Sequence, residues 1–181
     1  VLACLCRPGD TVIAEALTYP GFRAVAAQQG LRAVPLASDT EGPDLEALGR
    51  LCAEHRPAAL YLVPTMQNPT ATSLGLDRRR EIVRIAAAAG TRIIEDDPYS
   101  RLGEAPMPAL AALAPDQVIH IATLSKCLTP GLRIAYVVAP PDEAPRIADA
   151  LRAVALMAAP LMAAIATSWI REGTAETVLA A

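Results

Sequence analysis

The chain has 181 residues, 53% of them hydrophobic and 19% charged, so it is a folded chain long enough to bury a core rather than a disordered segment. Its net charge is −3 and no run of basic residues is longer than Arg78-Arg79-Arg80, which argues against nucleic-acid binding through this segment. Four cysteines without a C-x-x-C pair and only two histidines exclude a zinc site and a secreted disulfide scaffold, leaving free thiols in a reducing, cytoplasmic setting.

The opening run Val1-Leu2-Ala3-Cys4-Leu5-Cys6 has no charged leader and reads as the tail of a helix, stopped by Pro8-Gly9-Asp10. Thr11–Glu15 is a short buried strand. Tyr19-Pro20-Gly21 turns into a helix near Phe22–Gln29, which Gly30 ends. Leu31–Leu36 gives the next strand. Asp44–Glu54 is a helix with leucines at 45, 48 and 51, and Ala58–Val63 is an apolar run without alternation, as expected of a strand covered on both faces. Thr65–Ser73 is polar and irregular, Asp77–Ala89 is helical with Ile82 and Ile85 inward, and Thr91–Ile94 is another buried strand. Val118–Ile121 and Ile134–Val138 are two more, and from Pro141 the chain is helical, still so at Ala181. Residues 153–170 are free of charge, but the stretch is alanine-rich and Pro160 interrupts it, so it is expected to be two helices on a soluble core rather than a membrane span.

Strands alternating with helices of ten or more residues predict an α/β fold: a mostly parallel sheet with helices on both faces, three layers deep. Ligands in such folds sit beyond the carboxyl ends of the strands. Three polar segments follow strands and are the places to look: 64–73, 95–101 and 122–133.

Signatures of dinucleotide, P-loop and α/β-hydrolase sites are absent. Glu95, Asp96 and Asp97 follow a buried strand, and acids there must be paired or exposed; a solvated cap is the plain alternative. Thr123-Leu124-Ser125-Lys126 follows another strand. Lys126 is the only lysine against fifteen arginines, so any amine chemistry in this chain falls to it. Arginine stays protonated and is no nucleophile, whereas a desolvated lysine can form a Schiff base. Arg133 nearby offers a fork suited to phosphate. In Pro64-Thr65-Met66-Gln67-Asn68-Pro69-Thr70, the residue before proline is held extended and can present its amide into a cleft; an Asn-Pro turn is the plain alternative. Together a lysine, a carboxylate, an amide, a phenol (Tyr99), hydroxyls and an arginine match the needs of pyridoxal 5′-phosphate.

On these motifs, in this order, the chain resembles the class I/II aminotransferases, the fold-type I enzymes that use pyridoxal phosphate. Within them it is most similar to the aminotransferase-like domain of MocR-type (GntR family) regulators and to aminoadipate and kynurenine aminotransferases. The resemblance runs from Pro8-Gly9-Asp10 through Glu95-Asp96-Asp97-Pro98-Tyr99 to Trp169-Ile170. It implies that Lys126 is the Schiff-base lysine and later the proton shuttle, and that Asp96, in a D-x-x-Y pattern with Tyr99, pairs with the pyridine nitrogen. It further implies that Asn68 and Tyr99 bond the ring oxygen, that Thr123, Ser125 and Arg133 hold the phosphate, and that Tyr19 stacks on the ring; Asp97 is structural and no metal is involved. The family's N-P-T-G reads Asn68-Pro69-Thr70-Ala71 here, which strains Ala71 if its φ is positive, and Ala122 and Ala135 replace small residues common in the family.

The resemblance also implies that residues 1–181 are part of the cofactor-binding large domain. A phosphate loop would then lie upstream and a small domain with a carboxylate-binding arginine downstream. The implied activity is amino-group transfer between an amino acid and a 2-oxo acid by a homodimer. The alternative is a regulator's effector domain joined to an upstream DNA-binding module; a lyase on the same scaffold is a third reading.

Overall fold

A computed structural model describes residues 1–103 and 107–180. The elements, in chain order, are α1 (Leu2–Leu5), β1 (Thr11–Glu15), α2 (Pro20–Gln28), β2 (Arg32–Leu36), a two-residue hairpin of β3 (Ser38–Asp39) and β4 (Gly42–Pro43), α3 (Leu45–His55), β5 (Ala59–Leu62), α4 (Leu76–Ala88), β6 (Arg92–Asp97), α5 (Leu110–Leu113), β7 (Val118–Thr123), α6 (Leu124–Cys127), β8 (Ala135–Val138), α7 (Ala144–Ala155), α8 (Pro160–Arg171) and α9 (Thr174–Leu179). The main sheet runs β2-β1-β5-β6-β7-β8. Its first five strands are parallel, and only β8 is antiparallel, against β7.

Side-chain alternation along the strands divides the core between the two faces of the sheet. Ile13, Leu60, Leu62 and Ile93 point to one face and pack with Leu48, Cys52, Ile82 and Ala86 from α3 and α4. Val12, Ala14, Ala59, Tyr61, Val63 and Ile94 point to the other and pack with Phe22 and Ala26 of α2. These are the three layers expected from the sequence. A smaller cluster of Leu132, Ile134 and Ala166 seats α8 beside α6.

Local chemistry sets the element ends. Asp44 caps α3 by accepting the Ala47 N–H at 3.0 Å. Pro160 occupies the first turn of α8, where its missing N–H costs nothing, so the charge-free stretch is two helices parted at residues 156–159. No helix among the described residues is long and apolar enough to cross a membrane.

Five elements depart from the expectation. β6 continues through Asp97, so the three acids end the strand rather than follow it. The β3–β4 hairpin and the short α5 and α6 carry too few residues for a periodic signal.

The order of the sheet reverses between β1 and β5: the chain steps outward from β1 to β2, then crosses and proceeds through β5, β6 and β7. The crevice beyond the carboxyl ends at such a point is where open α/β sheets bind ligands.

Candidate active site

A cavity of ≈ 260 Å³ opens at that crevice, and all eight sequence-predicted residues line it: Tyr19 after β1, Asn68 after β5, Asp96 and Tyr99 at and after β6, Thr123, Ser125 and Lys126 at the β7–α6 junction, and Arg133 before β8. Val63, Pro98 and Pro130 complete the wall. The three polar segments flagged as strand ends all reach it.

Each segment is held for a local reason. Tyr19 precedes α2, and its ring lies so close over Gly21 that a Cβ at position 21 would collide with it; only glycine allows that fold-back. In the loop after β5, the buried Gln67 acts as a strut. Its Nε2 donates to the Leu17 carbonyl at 2.5 Å, while its Oε1 accepts from the Thr70 N–H at 2.9 Å and the Thr70 hydroxyl at 2.8 Å. The Asn68–Pro69 peptide is cis, and Met66 and Ala71 adopt φ of 48° and 59°. Ala71 therefore sits in the left-handed region where the family pattern has glycine, the strain expected from the sequence.

At the β7–α6 junction Thr123 caps the helix, its Oγ1 accepting the Ser125 N–H at 3.2 Å and contacting Ser125 Oγ at 3.1 Å. Arg133, also left-handed at φ 53°, brings Nη1 to 3.5 Å from Ser125 Oγ. Two hydroxyls and a guanidinium thus converge on one end of the cavity, and Lys126 stands beside them.

The end of β6 shows why three consecutive acids do different work. Alternation turns Asp96 into the cavity and Glu95 and Asp97 to the opposite face. Glu95 is buried and fully engaged: it accepts the Leu110 and Ala111 N–H groups at 2.8 and 3.0 Å, capping α5, and meets His120 Nδ1 at 2.9 Å. Arg79 Nη1 lies 3.9 Å away. Asp97 accepts the Ser100 N–H at 3.0 Å and so shapes the turn that carries Tyr99. The Glu95 carboxylate on His120 holds that imidazole above its ordinary range, against the opposing effect of burial.

Asp96 is bonded from within the sheet. The Tyr61 hydroxyl of β5 donates to its Oδ2 at 2.5 Å. Burial pushes the Asp96 carboxyl up, the Tyr61 hydrogen bond pulls it down, and the Asp97 charge adds a further upward push. Burial, followed by the charge of Asp96, drives the Tyr61 phenol well above its ordinary range, so it remains a donor.

Sequence reasoning missed Tyr61 and Arg79. Tyr61 is the one polar tip in the apolar run Ala58–Val63, and a phenol buried in a strand requires a partner. Arg79 lies three and seven residues before Ile82 and Ala86, the buried stripe of α4, and that spacing places it inward. It donates to the Leu74 and Pro64 carbonyls and to Thr65 Oγ1, each at 2.9 Å.

The profile of the aminotransferase class I and II family matches residues 1–177. An uncharacterized HTH-type transcriptional regulator of Bacillus subtilis, YdeF, is 38% identical over 178 residues, covering 98% of this chain and 38% of the regulator. The 2-aminoadipate transaminase of Thermus thermophilus is 34% identical over 174 residues, covering 93% of this chain and 44% of that enzyme. Among solved structures, α-aminoadipate aminotransferase LysN of Thermus thermophilus, complexed with N-(5′-phosphopyridoxyl)-L-leucine, superposes with a TM-score of 0.91 at 32% identity over 98% of this chain and 48% of that one. Kynurenine aminotransferase of Pyrococcus horikoshii gives a TM-score of 0.90 at 28% identity over 98% and 46%. The chain thus spans less than half the length of these relatives. A profile match over nearly the whole chain, on a sheet whose crevice carries the expected residues, makes this chain a member of the class I and II aminotransferase family.

Proposed function

We propose that residues 1–181 form the pyridoxal-phosphate-binding part of an aminotransferase large domain, serving transfer of an amino group between an amino acid and a 2-oxo acid. The observation that carries this reading is the meeting of the only lysine, Lys126, with the inward carboxylate of Asp96 in one cavity. The donor set fits the group at both ends: two hydroxyls and a guanidinium for a phosphate dianion, and a carboxylate for a protonated ring nitrogen. When bound, the cofactor supplies an electron sink for the bond broken at the substrate's α-carbon.

The chain's own residues would do the rest. Lys126 would present the amine that holds the cofactor's aldehyde carbon and would carry the proton to and from the substrate. Asp96 would hold a positive charge on the ring nitrogen. Asn68 and Tyr99 would donate to the ring hydroxyl oxygen, and Tyr19 would cover the ring face. Thr123, Ser125 and Arg133 would anchor the phosphate. A homodimer as the working unit and a reducing, cytoplasmic setting belong to the same reading; the latter is supported by four free thiols.

The test is a visible spectrum of the full chain with pyridoxal phosphate, followed by borohydride reduction and peptide mapping. A borohydride-sensitive band, present in the wild type and absent in Lys126→Ala, with a pyridoxyl group mapped to Lys126, is the expected outcome. No band in folded wild-type protein overturns the reading. The likeness to an HTH-type regulator favours one second reading, an effector domain that binds the cofactor without turnover. Production of a new amino acid from a 2-oxo acid by the same sample decides between the two.

A further inference from the structure

Tyr61 is nine-tenths or more buried, being 5% exposed in the middle of the sheet, yet its hydroxyl is bonded to Asp96, which lines the cavity. Two contacts fix it. Its ring stacks on Phe22 of α2 with centroids 4.1 Å apart and planes 11° from parallel. Its hydroxyl donates to Asp96 Oδ2 at 2.5 Å across the β5–β6 pair, where Tyr61 lies in register with Ile94, two residues before Asp96. One carboxylate oxygen of Asp96 is therefore committed to the protein, and Oδ1, without a hydrogen-bond partner among the described residues, remains for a ligand.

We propose that Tyr61 is a positioning residue for the cofactor: by holding Asp96 Oδ2 it aims Oδ1 at the ring nitrogen and keeps the carboxylate charged. The proposal rests on the pyridoxal-phosphate reading and adds to it a residue from outside the cavity-lining set. A carboxylate whose two oxygens can both rotate toward solvent or ligand loses orientation on binding; one tied to a stacked phenol has lost it already. A hydrogen bond to the ionised form also favours ionisation, which opposes the burial that drives Asp96 toward the neutral acid. The other groups facing this carboxyl do not replace Tyr61. Asp97 on the same strand opposes ionisation, and His120 on β7 favours it from a distance. Tyr19, Tyr99, Lys126 and Arg133 stand around the cavity without a hydrogen bond to Asp96 among the described contacts.

Tyr61→Phe removes one oxygen and leaves the ring on Phe22, so it isolates the hydrogen bond. The experiment uses the full chain, wild type and Tyr61→Phe, titrated with pyridoxal phosphate and with its 1-deaza analogue, in which carbon replaces the ring nitrogen, across a range of pH. The expected result is a loss of about tenfold or more in affinity for pyridoxal phosphate and little change for the analogue, which has no nitrogen for Asp96 to hold. The acid-side decline of pyridoxal-phosphate binding should move to higher pH in the variant, because its Asp96 accepts a proton more readily. Equal losses for both ligands would make Tyr61 a packing residue and overturn the proposal; so would unchanged affinity for both. Infrared titration of the cofactor-free protein, with Asp96→Asn identifying the band, reads the pair without any ligand: an unmoved Asp96 midpoint in Tyr61→Phe overturns it as well. Failure of the wild type to bind pyridoxal phosphate at any pH is a different outcome, which sinks the function reading and this proposal with it.

Discussion

Glu15 shows how one buried acid makes folding depend on pH. It ends β1, is 6% exposed, and meets the Val63 N–H at 3.5 Å with Gln67 beside it. Burial pushes its carboxyl up to about 7, against the opposing pull of those two partners. A folded-state value above the ordinary 4.5 means that the native state binds the extra proton between pH 4.5 and about 7. The stabilisation is therefore complete below pH 4.5 and is lost as pH rises through 7. Glu15→Gln keeps an acceptor for Val63 and carries no charge. It should match the wild type at pH 4.5 and be more stable at pH 8 by on the order of 1–3 kcal/mol, as read by denaturant unfolding at the two pH values. An unchanged difference between them would show that Glu15 is solvated. At this scale the site was largely legible in the sequence. A single lysine among arginines, an acid at a strand end and an arginine after a Pro-Gly turn each carry chemistry that a plain structural role does not need. Tyr61 was not legible, because a tyrosine inside an aliphatic run has the signature of a core residue, and its partner is 35 residues away.

The strands carry the site, and their packing sets how firmly it is held. Leu60 of β5 is fully buried between Ile13 of β1 and Ile93 of β6, its register neighbours. Leu60→Ala should cost about 2–5 kcal/mol in denaturant unfolding of the full chain; a much smaller loss would mean that the sheet collapses into the space. Strand and helix positions could be read from the sequence because runs such as Ala58–Val63 are too apolar for a solvated face and too short for a helix. The end of β6 could not. Three consecutive acids look like a loop, and they remain in a strand only because Glu95 and Asp97 find N–H partners while Asp96 finds Tyr61. Those partners come from α5, the turn after β6 and β5, none of which a local pattern reveals.

Across the whole molecule, the buried sheet contrasts with its last third. Every residue of β8 is exposed, as are Leu151 and Val154 of α7, Leu156 and Met157 between the helices, and Leu161 of α8, Val154 at 88%. Large apolar side chains left open to water in this number drive association. Residues 1–181 expressed alone should therefore bind a hydrophobic dye and sediment with a mass that rises with concentration. A dye-silent monomer would show that these helices rearrange to cover themselves.

The solitary lysine on α6 has a practical consequence. A protease that cuts after lysine has one target in residues 1–181, the bond joining Lys126 to Cys127. Once a reduced carbon–nitrogen bond caps that amine, the denatured chain loses its only cleavage point. The ratio of cut to uncut polypeptide on a gel would then report the fraction of molecules that were loaded, without a substrate, an assay or a chromophore.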